Sequence, residues 1–170
     1  SIQSLEIFIQ LILIHHFASD HCVFGTAQQA LENRHLIADP GIGPKTREFK
    51  NALEVVTYVR DELKIRCGIA VKPGTDLTDV EPLLDHIDLV LIMTVEPGFG
   101  GQSFMPQVMP KVQRLRSLRP KLDIEVDGGL APNTIDIASK AGANAIVAGS
   151  AIFKAKEPRA VINQLRDSVL

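Results

Sequence analysis

Positions 89–102 of the chain read LVLIMTVEPGFGGQ, an apolar run that ends in a cluster of glycines. A short, continuous apolar run predicts a strand that is buried on both faces, as in a parallel sheet. Three glycines within positions 98–101 leave their backbone N–H groups uncovered by side chains, which suits a loop that wraps a phosphate dianion. We therefore predict a strand over 89–94 and a phosphate-binding loop after it, with a flexible turn as the alternative.

The rest of residues 49–170 repeats this alternation of short apolar runs and longer helical patterns. The predicted strands cover 67–71, 89–94, 123–126 and 145–148, each followed by a helical pattern, and one more such pattern, over 53–63, precedes the first strand. Pro132 and Pro158 suit first helical turns, Asn133 suits a helix cap, and Gly142 suits a helix end. Strands that alternate with helices predict an α/β fold with a parallel sheet.

Residues 1–48 show no sustained periodicity. We expect a buried strand or a core helix within 7–14, a helix through Gln28 to Arg34, and a loop over Asp39 to Thr46. The apolar stretch from Leu5 to Phe17 is shorter than the roughly 20 residues that a membrane-spanning helix needs. The glycines and the Lys-Thr pair of the 39–46 loop fail the P-loop pattern, so an ordinary turn is favoured.

The composition is that of an ordinary globular protein, and 170 residues suit a single domain. A net charge of −2 gives no electrostatic reason to expect nucleic acid or an acidic membrane as partner. Cys22 and Cys67 do not form a CxxC pair, and we expect both to be small buried residues. Two isolated cysteines fit a reducing compartment, so we predict a cytoplasmic location.

Two further strand ends carry chemically distinctive residues. Asp127-Gly128-Gly129 follows the strand at 123–126, and Gly149-Ser150 follows the strand at 145–148. In α/β barrels, ligands meet the residues at the carboxyl ends of the strands, where a carboxylate beside glycines suits catalysis. Ser150 lies where a short helix could begin and direct its first N–H groups at an anion. An Asp-Gly pair is by itself more often a plain turn, which remains the alternative for Asp127.

Four segments resemble the ribulose-phosphate 3-epimerase family in order and spacing: GIAVKPGT at 68–75, MTVEPGFGGQ at 93–102, EVDGG at 125–129 and VAGSAI at 147–152. The resemblance extends over residues 53–170 and implies a (β/α)8 TIM barrel, of which only strands five to eight are recognisable, hence an incomplete barrel. We therefore divide the single domain into an atypical N-terminal segment, residues 1–48, and the C-terminal half of an epimerase-like barrel, residues 49–170. The resemblance also implies interconversion of D-ribulose 5-phosphate and D-xylulose 5-phosphate by proton abstraction at C3, through an enediolate. The implied cofactor is a divalent metal cation (Zn, Fe, Mn or Co).

The resemblance also assigns roles to individual residues. Asp127 resembles the family's catalytic acid/base, which is also a metal ligand, and Met93 resembles the methionine beside the reacting carbons. The residues that resemble the family's substrate-binding and phosphate-binding residues are Gly98, Phe99, Gly100, Gly101, Gly128, Gly129, Gly149 and Ser150. Lys72, Glu96 and Glu125 also match family positions, but we expect these to be structural or rim charges.

Part of the family's machinery has no counterpart in residues 1–50. The family's second-strand aspartate, third-strand histidine and first-strand serine find no matching motif there, and eight βα units usually need about 200 residues or more. Inversion at C3 requires two opposed acid/base groups. The alternative is therefore an impaired half-barrel that binds sugar phosphate or associates with a partner chain, a homo-oligomer included. We expect surface or locally bonded roles for His15, His16, His21 and His35, and a structural role for His86.

Overall fold

The computed structural model describes residues 10–14, 24–26, 51–64, 66–96, 98 and 101–169. The chain divides into two compact units, one formed by residues 1–70 and 78–88 and the other by residues 71–77 and 89–170. The helix predicted through Gln28 to Arg34, the loop predicted over Asp39 to Thr46, Cys22 and the four N-terminal histidines lie outside the described residues.

The first unit contains an antiparallel ladder. Strand β1 (Gln10–Ile14) pairs antiparallel with β2 (Phe24–Thr26) and with β3 (Arg66–Val71), where Leu13 lies opposite Cys67. Of the strand and the helix considered for residues 7–14, the strand is therefore confirmed over Gln10–Ile14. An antiparallel β1 departs from the all-parallel order of a (β/α)8 barrel.

The helix of the first unit begins at a side-chain cap. Asn51 accepts a hydrogen bond from the Glu54 N–H at 3.0 Å and starts α1 (Ala52–Thr57), which continues as a π-helical turn over Tyr58–Glu62. Within it Val56 and Val59 are fully buried, as the helical spacing predicts.

Cys67 is buried, as expected. Its N–H donates to Asp88 Oδ2 at 2.9 Å, and the Asp88 N–H donates to the Cys67 carbonyl at 2.7 Å. Burial, reinforced by the negative charge of Asp88, raises the pKa of the Cys67 thiol to about 12. The thiol therefore stays protonated and unreactive at neutral pH.

The described residues of the second unit form an α/β arrangement of three parallel strands and four α-helices. The strands are β4 (Leu89–Met93), β5 (Asp123–Asp127) and β6 (Ala145–Val147), and β5 pairs parallel with both neighbours. The helices are α2 (Met109–Leu118), α3 (Ile135–Ala141), α4 (Ser150–Phe153) and α5 (Pro158–Asp167). Each predicted strand is confirmed to within one residue, and the parallel α/β prediction with them.

Local signals set the helix ends with two exceptions, Pro132 and Asn133. Pro132 is predicted for a first helical turn but lies in the turn before the N-cap of α3. Gly142 ends α3 in the left-handed conformation at φ 107°, and Pro158 begins α5, both as predicted. The predicted cap Asn133 is wrong, because Thr134 holds the N-cap position of α3. The Thr134 hydroxyl accepts a hydrogen bond from the Ala131 N–H at 2.9 Å and so stabilises the turn before the helix.

Arg116 joins three segments of the second unit. From α2 it donates through Nε and Nη2 to the Gly142 carbonyl, at 3.0 and 2.8 Å, and through Nη1 to the carbonyls of Pro120 and Leu122, at 2.8 Å each. Its Nη2 also donates to Asn144 Oδ1 at 3.1 Å. One planar guanidinium thus provides hydrogen-bond donors for the carbonyl at the end of α3 and for two carbonyls of the turn that leads into β5.

Replacing Arg116 with alanine is expected to lower the free energy of unfolding by about 2–4 kcal/mol, because the partly buried carbonyls of Gly142 and Leu122 lose a charged donor. Arg116→Lys should recover little of the loss, since an ammonium cannot reproduce the planar fork. Urea unfolding followed by circular dichroism measures the effect. Exposed Lys121, which lies in the same turn, is the control, and Lys121→Ala should change stability by less than about 0.5 kcal/mol. Equal losses for the two alanine variants would contradict the joining role.

Candidate functional site

The carboxyl ends of β4, β5 and β6 surround one cleft of about 350 Å³. Eight of the ten residues predicted for the site line it: Met93, Gly98, Gly101, Asp127, Gly128, Gly129, Gly149 and Ser150. The other two, Phe99 and Gly100, lie outside the described residues. Segments that are far apart in the sequence thus meet where parallel strands end, as the α/β prediction requires.

Asp127 is the last residue of β5 and lies in the middle of the three strands. In the parallel ladders Met93 of β4 and Val147 of β6 lie opposite it on either side. Asp127 is half-buried, and burial raises the pKa of its carboxyl above the ordinary aspartate value. A raised pKa makes the carboxylate a stronger base and brings the group closer to neutral pH, where acid/base catalysis by one group is most efficient.

Glu125 lies two residues before Asp127, on the same face of β5. It is also half-buried, and burial, followed by the negative charge of Asp127, raises the pKa of its carboxyl. Glu125 does not line the cleft.

The Gly128–Gly129 turn is packed too closely to hold any larger residue. A Cβ on Gly128 would lie 2.5 Å from a methyl carbon of Val95, and a Cβ on Gly129 would lie 2.3 Å from the Phe104 nitrogen. Gly129 also adopts φ +67°, the left-handed region that favours glycine. Both glycines therefore bring the chain after β5 against the loop that follows β4.

Thr94 is a residue of the site region that sequence reasoning did not single out. Its side chain is fully buried, and its hydroxyl donates to the Gly128 carbonyl at 2.7 Å. Its N–H donates to the Asp127 carbonyl at 2.8 Å, and its own carbonyl accepts from the Met105 N–H at 2.9 Å. In the sequence the only signal is a hydroxyl residue at the end of an apolar run.

Lys111 of α2 holds the turn after β3. Its ammonium donates to the carbonyls of Pro73 and Thr75. Burial lowers the pKa of Lys111, against the opposing negative charges of Asp76 and Glu96. Glu96 lines the cleft, so Lys111 provides positive charge beside its rim.

The described residues do not by themselves form a metal site. Among them, no group of three or more His, Cys, Asp or Glu side chains lies close enough together to hold a metal ion. Asp127 offers a single carboxylate to the cleft, and among the described residues Glu96 is the only other carboxylate in its lining. In the same part of the chain, no helix is long and apolar enough to cross a membrane.

Comparisons with known proteins agree with the resemblance. A family model described as the ribulose-phosphate 3 epimerase family matches residues 38–153. The cytoplasmic isoform of ribulose-phosphate 3-epimerase from Oryza sativa subsp. japonica is 59% identical over 108 residues, which cover 62% of this chain and 47% of that protein. The ribulose-phosphate 3-epimerase of Eremothecium gossypii is 50% identical over 120 residues, 71% of this chain and 50% of that protein. The chain thus spans about half the length of the curated relatives it matches.

Proposed function

Because the chain belongs to the ribulose-phosphate 3-epimerase family, a family of isomerases, we propose that its cleft binds a ketopentose phosphate and that Asp127 moves a proton at C3 of that substrate. The observation that carries the proposal is the position of Asp127, a half-buried carboxyl at the end of β5 in a cleft rimmed by glycines. The substrate pair is D-ribulose 5-phosphate and D-xylulose 5-phosphate, which differ only in the configuration at C3.

The chemistry follows from the acidity of the C3 hydrogen. This hydrogen lies next to the C2 ketone, so its removal gives an enediolate whose negative charge is delocalised from C3 onto the C2 oxygen. Asp127 in its carboxylate form accepts the proton, and its burial raises the carboxyl pKa towards the pH at which proton transfer is most efficient. Return of a proton to the same face regenerates the substrate, whereas return to the opposite face gives the epimer. Inversion thus needs a second acid/base group on the opposite face, and we assign no described residue to that role.

Backbone N–H groups suit the phosphate of this substrate. The Gly128–Gly129 turn and Gly149 line the cleft without side chains, and α4 begins there at Ser150. The first N–H groups of a helix have no acceptor within their own helix, so they favour an anion at that end. Gly98 and Gly101 line the same cleft. A phosphate held there would fix C3 relative to Asp127, which removes most of the entropic cost of orienting the substrate.

A divalent cation (Zn, Fe, Mn or Co) is the cofactor that the family resemblance implies. Asp127 would supply one ligand, and the cation would supply Lewis-acid stabilisation of the enediolate. One carboxylate does not by itself make a metal site. The cytoplasmic location, the homo-oligomer and the division into residues 1–48 and 49–170 stay predictions.

Incubation of the chain with ribulose 5-phosphate in D2O tests the proposal. We expect deuterium to enter at C3, because one acid/base group, Asp127, suffices to remove and return a proton on one face. Proton NMR measures this exchange. Xylulose 5-phosphate with deuterium at C3 would show the complete epimerase activity. Parallel samples with EDTA, and with added Mn²⁺ or Zn²⁺, measure the metal dependence.

The other results of this experiment have distinct meanings. Deuterium in recovered ribulose 5-phosphate without epimer would support action on one face only. Binding of ribulose 5-phosphate without any exchange would support the alternative, an impaired half-barrel that only binds sugar phosphate. Neither binding nor exchange in any metal arm would contradict the proposed function.

A further inference from the structure

Thr94 lies between the two chain segments that line the cleft, one after β4 and one after β5. It follows the last residue of β4, and Val95 and Glu96, which come next, line the cleft on one side. Its hydrogen bonds lead to Asp127 and Gly128, which line the other side. Among the described residues, Thr94 is the only polar one that is buried.

Two of its hydrogen bonds fix two consecutive peptide planes. The Thr94 N–H donates to the Asp127 carbonyl, and the Thr94 hydroxyl donates to the Gly128 carbonyl, at 2.8 and 2.7 Å. In a trans peptide the carbonyl and the following N–H lie in one plane and point in opposite directions. Fixing these two carbonyls therefore fixes the directions of the Gly128 and Gly129 N–H groups, both of which point away from Thr94.

We infer that Thr94 is a positioning residue, which aims the N–H groups of the Gly128–Gly129 turn at an anionic ligand in the cleft. This inference rests on the proposed function for the identity of that anion, the phosphate of a sugar phosphate. Glycine has the widest choice of backbone conformations, so two adjacent glycines do not hold a direction by themselves. The buried hydroxyl supplies that constraint from outside the turn, 34 residues earlier in the chain.

Removal of the hydroxyl at nearly constant shape tests the inference. Thr94→Val leaves the Gly128 carbonyl without its donor, whereas Thr94→Ser retains the donor and removes a methyl group. Val112→Ala in α2 is a matched destabilised control, because Val112 is fully buried and does not line the cleft. Thr94→Ala is the second variant without a hydroxyl, for use if Thr94→Val does not fold.

The first readout is the dissociation constant of inorganic phosphate, measured by NMR titration. We expect Thr94→Val to bind phosphate at least about tenfold more weakly than the wild type, since misdirected N–H groups lose the charge-assisted hydrogen bonds. Thr94→Ser and Val112→Ala should remain within about threefold of the wild type. Wild-type affinity in Thr94→Val, or an equal loss in Val112→Ala, would overturn the inference.

The second readout uses the protein without ligand and separates the inference from the proposed function. The amide proton and nitrogen resonances of Gly128 and Gly129 should move in Thr94→Val and stay near their wild-type positions in Thr94→Ser. If the wild type binds neither inorganic phosphate nor ribulose 5-phosphate, the proposed function fails, and these resonances still decide whether Thr94 positions the turn. Unmoved glycine resonances in Thr94→Val would overturn the positioning role.

Discussion

Asp127→Asn is expected to lower the rate of deuterium entry at C3 of ribulose 5-phosphate by about 10²- to 10⁴-fold, the usual contribution of a positioned acid/base group. Asparagine retains the size of the side chain but cannot accept the proton. Binding of the substrate should change far less, because the phosphate is assigned to backbone N–H groups on the glycines. The comparison is made at the metal concentration that gives the fastest exchange by the wild type.

Glu125→Gln is the matched control for Asp127→Asn. Glu125 is also half-buried, lies on the same face of β5 and has a raised carboxyl pKa, yet it does not line the cleft. We expect this variant to retain the exchange rate to within about threefold, since it removes no group that is placed to meet the substrate. If Glu125→Gln lost the exchange and Asp127→Asn retained it, the assignment of the base to Asp127 would be wrong.

The strands and the site cleft were predictable because their signals are local. Strands buried on both faces leave continuous apolar runs in the sequence, such as the fully buried Val90 and Ile92 within β4. The carboxyl ends of parallel strands lie on one edge of the sheet, so the glycines and Asp127 could be placed together before any coordinates. The resemblance to the family added the roles, which the patterns alone left open.

The segment between β3 and β4 is not the α-helix that the sequence predicts after the first strand of residues 49–170. A helical pattern is predicted after the strand at 67–71, but the structure has two 3₁₀ turns there, Leu77–Asp79 and Glu81–Leu83. Leu77 and Leu83 of these turns are buried, as are Val80 and Leu84 beside them. Pro82 explains the difference, because proline has no N–H and its ring clashes with the preceding turn of an α-helix. A helical pattern in the sequence thus does not by itself specify the type of helix.

Residues that act through distant partners could not be found from the sequence. Arg116 has the appearance of an ordinary surface arginine of a helix, yet it binds the Gly142 carbonyl 26 residues later. The Thr94 hydroxyl reaches Gly128 across a similar separation. A sequence pattern reports a residue's own burial and helix or strand preference, whereas such contacts depend on which segments the fold brings together.

Gly129→Ala is expected to damage both stability and phosphate binding. A left-handed conformation costs a residue other than glycine about 1–3 kcal/mol, and the Cβ at 2.3 Å from the Phe104 nitrogen would add a clash with backbone. Because neither the turn nor the facing loop can relieve this overlap by rotating a side chain, the two segments must separate. Urea unfolding and phosphate titration should therefore both change, with phosphate affinity falling at least about tenfold as the N–H groups move.

Gly74→Ala separates this effect from the general cost of replacing a glycine. No atom lies within 4 Å of a Cβ built on Gly74, and its backbone is not in the left-handed region, so alanine should cost less than about 0.5 kcal/mol there. A Gly129→Ala variant as stable as Gly74→Ala would mean that the turn after β5 is not held against the loop after β4. A variant that loses stability but binds phosphate normally would mean instead that the turn is structural and that the anion is bound elsewhere. The two measurements together therefore decide whether the glycines after Asp127 serve the fold alone or also the ligand.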